Sequence, residues 1–250
     1  MAQIISSVTV KTILLVLVLT LPTGTLLDAA AIPADGVAPA TARLSGRVTV
    51  AGDYTKPQPL PVFKNRIFCG SQVVNETLLI DRDGGLRNAV VTVRAIDRPL
   101  AVNPSQLILD NQRCAFAPHV QVATVGSDLL LKNSDPILHT VHARMGSETL
   151  FNVGLPTWRR VTKRLERAGM IKIDCDVLHT WMSAVIIVTD TPHYAVTDER
   201  GFFSVEGLPA GAYDVEIWHE KLGAKTRRLS MNGDDLLALD VVYALKQIRR

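Results

Sequence analysis

Ile171-Lys172-Ile173-Asp174-Cys175-Asp176-Val177-Leu178-His179-Thr180-Trp181-Met182-Ser183-Ala184-Val185-Ile186-Ile187-Val188 reads as two strands and the loop between them. Ile171 to Cys175 alternates apolar and polar residues, as a half-buried strand does, and Met182 to Val188 is apolar apart from Ser183. The loop carries a thiolate, an imidazole and a thioether at Cys175, His179 and Met182. Upstream, Asn133-Ser134-Asp135-Pro136-Ile137-Leu138-His139 supplies a second imidazole where a strand begins. Two His, one Cys and one Met form the ligand set that copper takes when it carries electrons. Zinc could use the two His and the Cys, but a thioether is a poor fourth ligand for it. Taken singly, each residue also fits a plain role: a buried thiol, a core methionine, surface histidines.

Working outward, the same short-strand grammar covers the chain. Leu44 to Val50 alternates, Ala89 to Ala95 is the next clear strand, and Pro99 to Ser105 reads as a linker. Strands follow closely at Leu107 to Asp110, His119 to Val125, Asp128 to Lys132, His139 to Arg144 and Arg159 to Leu165. Tyr194 to Val196, Phe202 to Val205 and Tyr213 to Trp218 close the pattern, with Gly201 and Gly211 at turns. Short strands with Gly and Pro between them, and no long helical period, predict an all-β protein of sandwich type.

The N-terminus reads differently. Lys11, the apolar run Thr12 to Leu21, and the small residues Ala29-Ala30-Ala31 have the layout of a secretory signal. The expected location is therefore periplasmic or secreted, with membrane attachment only if that segment is retained. The net charge of +3 is too small to argue for nucleic acid. Three cysteines in an exported chain leave an odd one. With Cys175 assigned to metal, Cys69 and Cys114 are either a disulfide pair, which an oxidising compartment allows, or two buried thiols.

Other residues rank lower. His142 lies an odd number of positions from His139, so on a strand it faces the other way. His119, after Pro118, reads as structural, although it or His142 could serve a second copper-loading site. The basic run Arg159 to Arg167 is a solvated strand face or a docking patch for an acidic redox partner.

The stretch from Leu107 to Val188 resembles the cupredoxins, the small blue-copper proteins. The matching features are the turn Val125-Gly126-Ser127, the Asn-Asp-Pro-His approach to His139, and the late Cys/His/Met loop. Bacterial exported cupredoxin-like proteins, often labelled methylamine utilization proteins, are similar over more of the chain, including Gln112 to Val120. The resemblance implies a Greek-key β-sandwich with copper held by His139, Cys175, His179 and Met182. With that ligand set, a redox partner protein is expected, with an electron leaving through an exposed edge of His179; an enzyme is not, since no open-coordination His cluster or second copper type is visible. One departure stands out. Asp176-Val177-Leu178 puts three residues between Cys175 and His179, where that family has two. The longer spacing matches half of the dinuclear copper site of cytochrome c oxidase subunit II, but Ile171 stands where that site needs a second cysteine. A mononuclear centre is the expectation.

Thr197 to Phe203 and Pro209 to Tyr213 are similar to carboxypeptidase regulatory-like, or transthyretin-like, modules, whose opening segments resemble Ser45 to Val48 and Leu86 to Val91. The expected organisation is a signal at 1–31, a flexible leader at 32–43, and the first part of the transthyretin-like sandwich at 44–98. That first part could instead be an N-terminal extension of the cupredoxin. The copper-binding domain follows at 105–189 and the regulatory-like module at 190–246. The two sandwiches are either in tandem or one is inserted into the other. An electron carrier is the expected function. A copper carrier or sensor, and a metal-free scaffold or adhesion module, are the alternatives.

Overall fold

A computed structural model describes residues 41–245. The segment read as a signal, nearly all of the expected leader and the basic tail at Lys246, Arg249 and Arg250 lie outside the described residues. Among those described, the chain is β almost throughout, with one short helix at Arg66–Cys69. No described helix is long and apolar enough to cross a membrane.

Strands from the two ends of the chain share sheets. Ala42–Ala51 pairs antiparallel with Phe202–Leu208 and parallel with Leu236–Ala238 and Val241–Ala244. A facing sheet runs His193–Val196, Val90–Ala95, Gly211–His219, Gly223–Met231. Leu44, Val48, Val91, Val93, Tyr213, Val215 and Ile217 interdigitate between them. Ala42 is already a buried residue of the first strand. The Asp198–Gly201 turn is built on Asp198, whose Oδ1 accepts the Arg200 and Phe202 N–H groups. Gly201 sits at φ 80°, and a Cβ there would lie 2.3 Å from the Val48 carbonyl oxygen. Only glycine fits that approach.

The middle of the chain builds a second sandwich. One sheet runs Glu148–Leu155, His139–Met145, Gly169–Asp174, Ser183–Thr189, Val120–Thr124. The other runs Arg160–Arg164, Asp128–Asn133, Gln106–Gln112, Ala115–Ala117. Leu109, Phe116, Leu129, Leu131, Val141, Ile171 and Ile173 fill the space between. In Ser183–Thr189 the apolar run Ala184 to Val188 is explained by burial on both faces. Ala184, Ile186 and Val188 enter this core, while Val185 and Ile187 join Val90, Val120 and Trp218 in a small cluster between the sandwiches. Arg160–Arg164 alternates exposed and half-buried, with Lys163 over the Phe151 ring. The Leu60–Val73 segment leaves the first sandwich: Leu60, Val62, Cys69 and Val73 pack on the second core.

Where the halves meet, His119 Nδ1 lies 3.0 Å from the Ser183 carbonyl and its Nε2 3.2 Å from Glu220 Oε1. Neighbouring His219 is 1% exposed, and its Nδ1 accepts the Lys221 N–H. Burial above all, with the nearby His119, pushes His219 down from 6.5 to about 4. The unfolded chain therefore takes up this proton first as pH falls. The contribution is fully present above about pH 6.5 and is lost progressively toward pH 4, amounting to on the order of 3 kcal/mol. His219→Asn keeps an acceptor for Lys221, so its unfolding free energy should decline less over that interval by a similar amount. An equal decline of unfolding free energy from about pH 7 to pH 4 in native and variant, each measured by denaturant unfolding, would refute this.

Candidate metal centre

The site forms where the start of one strand lies beside the end of its neighbour. His139–Met145 and Gly169–Asp174 run antiparallel with Asp174 opposite His142, so His139 and Cys175 fall at the same end of the sheet. The Asn133–Leu138 turn is knitted by Asn133, which is fully buried. Its Nδ2 donates to the Ile137 and Leu155 carbonyls, and its Oδ1 accepts the Asp135 N–H. Asp135 accepts from the Arg113 and Cys114 N–H groups, and its Oδ2 lies 3.0 Å from His139 Nε2. Cys175 Sγ accepts the Thr140 N–H at 3.3 Å, and the Asp176 N–H donates to Thr140 Oγ1. The loop then turns back, with the Met182 N–H on the His179 carbonyl. The extra residue of this loop is Leu178, at φ 67° and 65% exposed. A left-handed leucine is uncommon and costs energy. Here it throws the surplus residue into solvent and leaves Cys175 and His179 facing one point.

Three donor atoms converge there. His139 Nδ1 and His179 Nδ1 are 3.1 Å apart, and Cys175 Sγ lies 3.9 Å from the first and 3.7 Å from the second. Three ligands sharing one ion at about 2.0–2.3 Å would show separations of this size. Each imidazole has its far nitrogen engaged: His139 Nε2 on Asp135 and His179 Nε2 on Asn65 Oδ1 at 2.9 Å. Both acceptors call for a proton on Nε2, which leaves both Nδ1 lone pairs aimed inward.

The electrostatics follow from that crowding. Burial alone would lower His139, but the hydrogen bond to Asp135 and the neighbouring Cys175 raise it above its usual value. Burial would raise Cys175, but His139 and the Thr140 N–H outweigh it and lower the thiol. Burial first, then the His139 charge and Lys64, push His179 down to about 4. Three lone-pair donors crowded on one point are what a shared cation would relieve.

Met182 is buried in the same core as Cys175. Trp181 donates its Nε1–H to the Cys114 carbonyl, and its ring centroid lies 5.0 Å from that of His179. Both side chains are buried, Trp181 at 6% and Met182 at 2% exposed. The nearby pocket lined by His119, Trp181 and Met182 holds only about 20 Å³.

No family model matches this chain, and no curated relative does. Among solved structures it is similar to a purple cupredoxin from Nitrosopumilus maritimus. That likeness has 23% identity and a TM-score of 0.30, and covers 34% of this chain and 99% of that one. A reduced amicyanin variant is similar at 19% identity and a TM-score of 0.31, over 40% of this chain and 98% of the amicyanin. A copper-containing nitrite reductase from Thermus scotoductus is similar at 20% identity and a TM-score of 0.32, over 37% of this chain and only 25% of the reductase. The likenesses are low, and the chemistry of the centre is read from its own donor atoms.

The remaining sequence candidates separate clearly. His142 faces away, against Asp176 and Thr149. His119 is a buried hydrogen-bonding residue where the halves meet. Ile171 is a core residue. Cys69 and Cys114 are joined as a disulfide, Cα–Cα 5.6 Å, and Cys175 is a free cysteine. One expectation is corrected: His179 has no exposed edge. It is 1% exposed, because Asn65 and the segment around it cover the ring from outside. Sequence reasoning also passed over the roles of Asp135, Thr140 and Asn65. Asp135, four residues before His139, was within reach of a local reading. Asn65 was not, since it arrives from 114 positions away.

Proposed function

We propose that this chain is an exported copper protein with one mononuclear centre, carrying single electrons between protein partners. The observation that carries the reading is the convergence of His139 Nδ1, His179 Nδ1 and Cys175 Sγ on one point, each imidazole held by an acceptor at its far nitrogen. In this reading those three residues hold the ion, with the Met182 thioether as a weak fourth ligand. Bound copper would supply one-electron chemistry by alternating between Cu(I) and Cu(II). The protein's own contribution is rigidity. His139 is anchored through Asp135 to the Arg113–Cys114 backbone, and Cys175 through Thr140 to the neighbouring strand, so the donors keep nearly the same places in both oxidation states.

Cys175, His139 and Asp135 also lie in the order of a nucleophile, base and orienting acid. Cys175 is only 4% exposed, however, which favours a carrier over an enzyme. The sandwich built from both ends of the chain is read here as a transthyretin-like module into which the copper-binding sandwich is inserted. Its place is taken to be the periplasm or outside the cell, opposite a redox partner.

Titrating Cu(II) into the purified protein should produce a visible thiolate-to-copper band at one equivalent. A reductant should bleach it and an oxidant restore it. Electron self-exchange should outrun transfer of copper to a chelator. No band would end the copper reading. Metal transfer faster than electron exchange would make the protein a copper carrier instead.

A further inference from the structure

The outer side of the centre is closed by a segment far from the ligand loops in sequence. Leu60–Pro61 pairs with Gln72–Val73, and the short helix Arg66–Cys69 lies between them. Asn65 begins that helix in a left-handed conformation, φ 58° and ψ 30°. An asparagine at this position ordinarily turns its side-chain oxygen onto the helix's own N–H groups. Here it makes no such bond, and Oδ1 lies 2.9 Å from His179 Nε2 instead. Beside it, Lys64 Nζ donates to the Val177 carbonyl.

The segment is also tied down. Cys69 is bonded to Cys114, whose N–H donates to Asp135 and whose carbonyl accepts Trp181 Nε1–H. The same short stretch therefore touches the supports of both imidazoles. His139 is reached through Asp135, and His179 directly through Asn65.

We infer that the Leu60–Val73 segment is a fastened lid on the metal centre, in which Asn65 is the positioning residue for His179. By accepting from Nε2–H it keeps the proton off Nδ1, the atom aimed at the ion, and the Cys69–Cys114 bond holds it there. The lid then governs how fast the ion can leave, because His179 must lose the Asn65 contact before its ring can swing outward. This rests on the copper reading, but one part of it needs no metal.

The metal-free test is the ring of His179 observed by ¹⁵N NMR in the full chain. The native protein should show the Nε2–H tautomer. Asn65→Gly accepts the same backbone conformation but has no side-chain oxygen, and should show a mixture. With copper loaded, Asn65→Gly should surrender Cu(I) to bathocuproine about 10–100-fold faster than native, the usual range for losing an outer partner of a ligating histidine. Its Cu(II) band should also shift. Asn65→Asp, which retains the acceptor and tolerates the left-handed backbone, should stay within a few-fold of native, and Cys69→Ser/Cys114→Ser should resemble Asn65→Gly. An unchanged tautomer and an unchanged release rate in Asn65→Gly would overturn the lid. A native protein that takes up no copper but shows the tautomer difference would remove the copper reading and leave Asn65 as the positioning residue.

Discussion

Cys175→Ser should take up Cu(II) with no thiolate-to-copper band, and with an affinity lower by more than about 100-fold, beyond what losing an outer partner costs. The assignment is sharp because the chain has three cysteines and two of them are joined to each other. Any thiolate band must come from Cys175. Folding should be nearly unaffected, because a serine hydroxyl can still accept the Thr140 N–H that now points at Sγ. Exchanging a buried sulfur for oxygen should change the unfolding free energy by about 1–2 kcal/mol at most. Optical titration and denaturant unfolding on the same preparation separate the two effects. A band that survives in Cys175→Ser, or a variant that fails to fold, would contradict this arrangement of the site.

The parts of the molecule that could be read from sequence are those whose reasons are local. Ile171 to Asp174 alternates because one face of its strand meets the core, and the residues announce it. The ligand loop was legible because a thiol, an imidazole and a thioether at close spacing have a joint chemistry that none has alone. Edge strands were harder. Glu148–Leu155 and Gly223–Met231 each lie at a sheet edge, where charged and small residues discourage pairing with other chains. Those same residues, Arg227 and Arg228 among them, erase the apolar alternation that marks a strand.

Exposure of His179 was misjudged for a different reason. Nothing within the loop tells what will cover it. Asn65 stands in a stretch with Pro57, Pro59 and Pro61, where an asparagine ordinarily signals a turn. Its turn conformation is real, and its side chain is spent elsewhere. The disulfide that brings it close could be suggested by cysteine arithmetic, but not the face of the sandwich to which it leads.

Asp135→Ala should cost roughly 3–5 kcal/mol of folding free energy and weaken copper binding as well. The carboxylate is almost fully buried and accepts from three groups: the Arg113 N–H, the Cys114 N–H and His139 Nε2–H. Alanine leaves all three without a partner in a place water does not reach, and each such loss costs about 1–3 kcal/mol. Burial would raise the Asp135 carboxyl, but the His139 hydrogen bond and the two backbone N–H groups more than offset it and hold it below 3.8. A depressed carboxylate contributes stability that is present above its unfolded pKa and disappears as pH falls through the folded one. The difference between native and Asp135→Ala should therefore be full at neutral pH and shrink below about pH 4. Asp135→Asn separates the accepting oxygen from the charge. Its amide oxygen can take the place of Oδ2 and accept from both the Cys114 N–H and His139 Nε2–H, while its amide nitrogen meets the Arg113 N–H, from which it cannot accept. That variant should recover part of the stability lost in Asp135→Ala. It should also keep the Nε2–H tautomer of His139 and bind copper more tightly than Asp135→Ala, which offers that proton no acceptor. Copper affinity in Asp135→Asn no better than in Asp135→Ala would mean that the charge of the carboxylate, rather than its accepting oxygen, holds His139 in place.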